Sequence, residues 1–267
     1  MLTIAGSDSG GGAGIQADLK ALARCGVYGM TAITAITAQN TREVTAVAPV
    51  APEVIVAQVR VVADDIGVDA VKIGMLGDEP TILAVHEALG LLPPSTPVVL
   101  DPVMVAESGA ALLEPAARAT LVERLLPRAT VVTPNLAEAA ALADAEPDAD
   151  AADLARAVHE LGPHAVVVTG GHGADATDVF YDGRRLEEIT GERFPDGASH
   201  GSGCTHSSAL AANLALGLPP LGAARRAREI AGEAVRRGLR DVGSGAGPVD
   251  ALGIHPDRIA GAASPLS

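Results

Sequence analysis

The segment His200-Gly201-Ser202-Gly203-Cys204-Thr205-His206 places a thiol between hydroxyl, imidazole and glycine residues just before a run of small residues, Ser207-Ser208-Ala209-Leu210-Ala211-Ala212. Successive glycines expose backbone N–H groups, and a helix start adds the positive end of its dipole. An anion is therefore expected to settle against Gly201, Ser202 and Gly203. A cysteine in that position is expected to have its thiol pKa lowered, which favours the thiolate. The plainer reading is a Ser202 helix cap over an inert Cys204. A cysteine hydrolase pairing Cys204 with His200 or His206 would also need an orienting third group, and the chain marks none.

Five further segments could carry chemistry. Gly6-Ser7-Asp8-Ser9-Gly10-Gly11-Gly12-Ala13-Gly14 lets the backbone close over a small ligand. Gly12-x-Gly14-x-x-Ala17 nominally fits a dinucleotide turn, but the next strand ends in Thr37-Ala38-Gln39 without the acid that a ribose requires. It is not a P-loop either, because Gly12 stands where lysine should follow Gly11. Asp18, a turn into the following helix, is either a dipole-favoured acid or a ligand contact. Gln39 and Asn40 form a turn, or offer amides that donate and accept at once, as a heteroaromatic ring with an amino group requires. Asp101-Pro102 is a turn dipeptide that follows the apolar run Val98–Leu100. Asn135-x-x-Glu138 resembles a capping box, the alternative being that Glu138 helps to hold Mg²⁺ beside a nucleotide's phosphates. Thr169-Gly170-Gly171-His172-Gly173 reads as a tight turn or as a lining for phosphates.

These groups need elements to position them. Short β-branched runs alternate with Ala/Leu-rich stretches along the chain. Strands are expected at Leu2–Ala5, Thr31–Thr37, Ala70–Ile73, Val98–Leu100, Val131–Thr133, Val166–Thr169 and Val179–Tyr181. Helices are expected near 13–25, 52–65, 79–91, 115–126, 136–144, 151–161, 204–217 and 220–240. Runs such as Val98-Val99-Leu100 are apolar on both faces, as a strand covered by helices on each side must be. The alternation predicts one α/β domain over 1–267, a sandwich around a mostly parallel sheet. In such sheets ligands bind beyond the carboxyl ends of the strands, where the polar segments above lie.

Composition narrows the partners. With 19 basic residues against 33 acidic ones, the net charge of −14 opposes a nucleic-acid backbone, and two Tyr with two Phe give no stacking platform. No nucleic-acid partner is expected. Cys25 and Cys204 alone cannot build a disulfide scaffold or a Cys-rich zinc site. The start, Met1-Leu2-Thr3-Ile4-Ala5-Gly6-Ser7-Asp8, has no basic leader region, and no run approaches the ~18 apolar residues of a membrane span. A cytoplasmic protein acting on a small molecule, away from membranes, is the expectation.

Taken in order, the segments resemble the hydroxymethylpyrimidine/phosphomethylpyrimidine kinases of thiamine biosynthesis, in the ribokinase-like superfamily. The likeness runs through LTIAGSDSGGGAGIQADLK at 2–20, TAITAQNT at 34–41, KIGML at 72–76 and, at 100–109, LDPVMVA with Ser108-Gly109. It continues through TPNL at 133–136 with Glu138, GGH at 170–172, HGSGCT at 200–205 and GPVD at 247–250. It implies a ribokinase-like three-layer α/β/α sandwich and ATP-dependent phosphorylation of 4-amino-5-hydroxymethyl-2-methylpyrimidine, then of its monophosphate, with ATP and Mg²⁺ as cofactors. Gln39 would hydrogen-bond the aminopyrimidine, with Gly6, Asp18, Met75 and Val103 completing its pocket. Asp101, Asn135, Thr169 and Gly171 would lie by the ATP phosphates and Glu138 by Mg²⁺. Gly201, Ser202, Gly203 and Cys204 would form the catalytic anion hole, with Cys204 as base. A homodimer is compatible with the resemblance, since members of the superfamily often pair. A pyridoxal kinase, or a pyrimidine-binding sensor without turnover, is the alternative. The chain departs from the pattern at Ser202, where threonine is usual, at His206 for leucine, at Thr169 where many members have lysine, and at Ala198-Ser199 for Asn-Thr.

Overall fold

The computed structural model describes residues 1–106, 109–146, 148–170, 176–194 and 198–253. The elements run β1 (Leu2–Asp8), α1 (Gly14–Arg24), β2 (Met30–Gln39), β3 (Val44–Pro49), α2 (Pro52–Asp65), β4 (Val71–Ile73), α3 (Glu79–Leu89) and β5 (Val98–Leu100). After β5 come α4 (Ala117–Arg124), a 3-10 turn at Leu126–Arg128, β6 (Val131–Val132), α5 (Leu136–Leu142), α6 (Ala151–Glu160) and β7 (Val166–Val168). The chain closes with β8 (Asp178–Tyr181), β9 (Leu186–Ile189), α7 (Ser202–Ala215) and α8 (Pro220–Arg236).

The strands form one sheet of nine in the order β3-β2-β1-β4-β5-β6-β7-β8-β9. From β2 to β7 neighbouring strands are parallel, whereas β3, β8 and β9 pair antiparallel at the two edges. The central strands are short but lie in the core: Val71–Ile73, Val98–Leu100 and Val166–Val168 are buried on both faces. One face carries α2 to α6 over Ile4, Ile73, Leu100 and Val132. The other carries α1, α7 and α8 over Val99, Val131, Val167 and Phe180. That makes the α/β/α sandwich expected from the alternation.

Two features differ from the expectation and have physical causes. β3 is an edge strand with almost no buried residue, so burial left no mark on its sequence. β9 closes a hairpin through Asp182-Gly183, where Asp182 Oδ1 accepts from the backbone N–H groups of Arg184 and Arg185 and Gly183 has φ of 83°. Its residues Leu186-Glu187-Glu188-Ile189 alternate too briefly to be read as a strand. α7 also begins at Ser202, two residues earlier than expected.

The chain leaves β1 in one direction to β2 and β3, then returns to build β4 onward on β1's other side. This reversal opens a crevice at the carboxyl ends of β1 and β4. A register shift between Ala5 and Ser7 sits there too, as bulges beside functional sites often do.

Candidate active site

A cavity of about 410 Å³ occupies the crevice. Strand ends supply its floor: Gly6 to Asp8 after β1, Gln39 on β2, Met75 after β4, Asp101 and Val103 after β5, Asn135 after β6 and Thr169 after β7. Gly201, Ser202, Gly203 and Cys204 supply one wall, and the α8 residues Arg228, Ala231 and Val235 supply another. The expected residues converge, with two exceptions. Gly171 lies outside the described residues. Asp18 does not reach the cavity.

Asp18 is fully buried and committed beneath the floor. Its oxygens accept from Thr3 Oγ1 at 2.5 Å, Ser208 Oγ at 2.8 Å and Lys72 Nζ at 2.9 Å. The expectation of a polar contact between Asp18 and a ring is therefore corrected: Asp18 holds Lys72. Lys72 is itself at 0% exposure, yet it lines the cavity. Burial alone would lower its pKa, but Asp18, Cys204 and Asp101 together hold it above the usual lysine range. Sequence reading passed over Lys72 as a site residue because its strand looks like plain core. The signal was there: a charge inside a three-residue buried strand requires a partner.

Cys204 also behaves differently from its expectation. It sits in the first turn of α7, where Gly203 and Cys204 present N–H groups that have no intrahelical acceptor. Burial nevertheless pushes its thiol up to about 12, against the pull of Lys72 and with added push from Asp18 and Asp101. The resting group is the neutral thiol, not the expected thiolate. Ser202 makes no side-chain cap; the N-cap is Gly201, left-handed at φ 83°. A Cβ on Gly201 would run into the carbonyl of Gly12, so the two glycine segments seat against each other because neither has a side chain there.

Asp8 fastens that junction. Its Oδ1 accepts from Gly10 N–H at 2.8 Å, and its Oδ2 accepts from Gly12 at 3.0 Å and Ala13 at 2.8 Å. His200 Nε2 stands 3.3 Å from the same Oδ2. Burial would raise the Asp8 pKa, but His200 and these N–H groups hold it below the usual carboxylate range. Asp8 was not singled out from sequence, and His200 only as a partner for a hydrolytic Cys204, although an acid opening a glycine run is a recognisable loop anchor.

At the ring end, Thr37 Oγ1 donates to Gln39 Oε1 at 3.1 Å, leaving the amide's NH₂ side to a ligand. Gly6 makes room for Met75, whose methyl would lie 2.6 Å from a Cβ there. At the other end, Asn135 and Glu138 form the complete capping box of α5: Asn135 Oδ1 accepts from Glu138 N–H at 2.9 Å, and Glu138 Oε2 accepts from Asn135 N–H at 3.0 Å. Capping does not withdraw Glu138 from the cavity, whose wall it also forms. Burial, and then the charge of Asp101, push the Glu138 carboxyl up to about 7. Asp101 is raised too, chiefly by burial, although Lys72 and a 2.9 Å hydrogen bond from Ser207 oppose this. No group of three or more His, Cys, Asp or Glu with metal-holding geometry occurs among the described residues, so any cation here relies on one or two carboxylates. Among those residues, no helix is long and apolar enough to cross a membrane.

Residues 8–250 match the model of a family described as phosphomethylpyrimidine kinase. A hydroxymethylpyrimidine/phosphomethylpyrimidine kinase of Rhizobium meliloti (strain 1021) is 51% identical over 254 residues, covering 93% of this chain and 95% of its own. Among solved structures, a phosphomethylpyrimidine kinase from Clostridium difficile 630 superposes with a TM-score of 0.77 at 39% identity, over 88% of this chain and 98% of its own. The pyridoxal kinase from Staphylococcus aureus in complex with AMP-PCP and pyridoxal superposes at 0.84 with 34% identity, over 94% and 92%. A cavity floor at Gln39 and Met75 and a helix start at Gly201 in its wall thus coincide with agreement over nearly the whole sequence: the chain belongs to the phosphomethylpyrimidine kinase family.

Proposed function

We propose that the protein transfers the γ-phosphoryl group of ATP to the hydroxymethyl oxygen of 4-amino-5-hydroxymethyl-2-methylpyrimidine, and then a second phosphoryl group to the resulting monophosphate. The observation that carries this reading is one cavity with two unlike ends. Gln39, Met75 and Val103 form an amide-and-aliphatic end suited to an aminopyrimidine. Gly201–Cys204 form an N–H-rich end suited to a phosphoryl group, with the Cys204 thiol in the same wall.

Phosphoryl transfer is loose, so positioning and charge neutralisation do most of the work. Gly203 and Cys204 N–H groups face the moving phosphoryl oxygens, and Lys72 lends a fixed positive charge from below. In the first step the alcohol oxygen bonds to phosphorus, the bond to ADP breaks, and the proton passes to Cys204 in its ionised, thiolate form. A thiol held near 12 is a scarce base at neutral pH but a strong one when ionised, and Lys72 favours that form. The carboxylates of Asp101 and Glu138 fit a divalent cation: the Asp101 charge helps to raise the Glu138 pKa, and a positive charge beside Glu138 would relieve it. Glu138 would hold Mg²⁺, with Asp101 and Asn135 beside the phosphates; the ion's chemistry is to neutralise phosphate charge.

The superposition on a pyridoxal kinase supports a second reading, phosphorylation of pyridoxal at the same hydroxymethyl position. ADP release with Mg-ATP, measured in parallel on hydroxymethylpyrimidine, its monophosphate and pyridoxal, separates the two. Turnover on the first two with slow turnover on pyridoxal is expected. Turnover on pyridoxal alone would replace the substrate assignment, and silence on all three would leave a binding protein.

A further inference from the structure

His206 lies in the second turn of α7, three and four residues after Gly203 and Ser202 and therefore on the same helix face. It lines the cavity, yet its side chain is only 5% exposed. Among the described residues neither ring nitrogen completes a hydrogen bond, and neither does Asp178 Oδ2, which stands 3.3 Å from His206 Nε2. A neutral imidazole has one donor and one acceptor to place. Asp178 stands on one side, and the described residues offer no acceptor for Nδ1, so an incoming anion at Nδ1 would complete the partners of an imidazolium.

We propose that His206 is a proton-linked cation of the nucleotide site, taking up a proton as polyphosphate oxygens enter above Ser202 and Gly203 and charging the wall beneath them. This rests on the kinase reading.

The groups around it set the balance. From β8, Asp178 faces His206 directly and spends Oδ1 on Gly170 N–H at 3.0 Å. From α8, Arg228 approaches the same carboxylate at 3.6 Å and donates to the carbonyl of Ala176. Beyond β5, Asp101 feels the His206 charge and is hydrogen-bonded by Ser207. Lys72 on β4 is paired with Asp18 on α1 and still acts on Cys204 and Asp101, and Cys204 on α7 rests as a thiol. Arg228 and His206 stand together beside Asp178 on the α7–α8 side of the cavity, which Arg193 and His200 also line. Arg228 is permanently charged, so of the two cations beside Asp178 His206 is the one whose charge can follow ligand entry; Glu138, raised to about 7, is common to wild-type protein and the His206 variants.

The test is nucleotide binding by calorimetry in two buffers of different ionisation enthalpy, using ADP and wild-type protein, His206→Gln and His206→Leu, with Kd followed from pH 6 to 9. Glutamine keeps a donor for Asp178 without a titratable charge, and leucine fills the space. Wild-type protein should take up a proton that both variants do not, and its affinity for ADP should fall about tenfold across the range, the size of one charge-assisted hydrogen bond. Both variants should show the weak alkaline affinity at every pH, with unchanged KM for the pyrimidine. Equal proton uptake in wild-type and His206→Gln protein, or a parallel pH dependence, would overturn the proposal. ADP binding with the expected proton uptake but no turnover would sustain it while the kinase reading fails.

Discussion

At Cys204 the residue type was legible and its ionisation was not. A helix N-terminus lowers a thiol's pKa, which argued for thiolate, but desolvation together with the charges of Asp18 and Asp101 outweighs that and the pull of Lys72. The chemistry this leaves is testable because the two reactions differ in their nucleophile. The alcohol must lose a proton, whereas a phosphate oxygen is already ionised. Cys204→Ala should slow the first phosphorylation about 100-fold, the usual size of general-base assistance, and the second much less. Because thiolate grows with pH anywhere below about 12, kcat for the alcohol at saturating ATP should climb from pH 6.5 to 9.5 in wild-type protein and stay flat in the variant. Equal losses in both steps would make Cys204 a packing residue of the anion site. Asp18 carries the opposite lesson. Its place one turn into α1 was read correctly, but only three dimensions show that the helix turns it toward Lys72, 54 residues away.

Among the elements, strands that are apolar on both faces were readable because burial on two sides imposes composition, and every central strand was found. The edges escaped because β3 is exposed and β9 depends on a two-residue turn. The joint between the two glycine segments was likewise invisible: each looked like a flexible loop, and neither sequence says that Gly201 seats on Gly12. Asp8 makes that joint rigid by accepting from Gly10, Gly12 and Ala13 while facing His200. Its carboxyl is held below its ordinary value, so it stabilises the fold above about pH 3.9 and that contribution disappears as pH falls through the depressed value. Asp8→Asn should therefore cost about 1.5–3 kcal/mol at pH 7, measured by urea denaturation, and the deficit should shrink toward pH 3. A deficit independent of pH would mean that the segment is held by packing and not by the Asp8 charge.

For the whole molecule, the cavity sits where the strand order reverses, so its floor comes from both directions of the sheet and its walls from α7 and α8. A nucleotide and a pyrimidine bound together would bridge the β1–β2 side to the α7–α8 side, tying strands that pack on opposite helical layers into one cooperative unit. Each ligand at about 100 times its Kd adds about 2.7 kcal/mol of apparent stability. For a chain of this size each kcal/mol shifts Tm by roughly 2–4 °C. A nonhydrolysable ATP analogue with the pyrimidine should thus raise Tm further than either alone, by on the order of 10 °C in total, while the melt stays a single transition. A shift no larger than that of the better ligand would mean that the two compete for one end of the cavity. Separation into two transitions would mean that the walls belong to units that unfold independently, and the one-domain reading of the alternating pattern would fall with it.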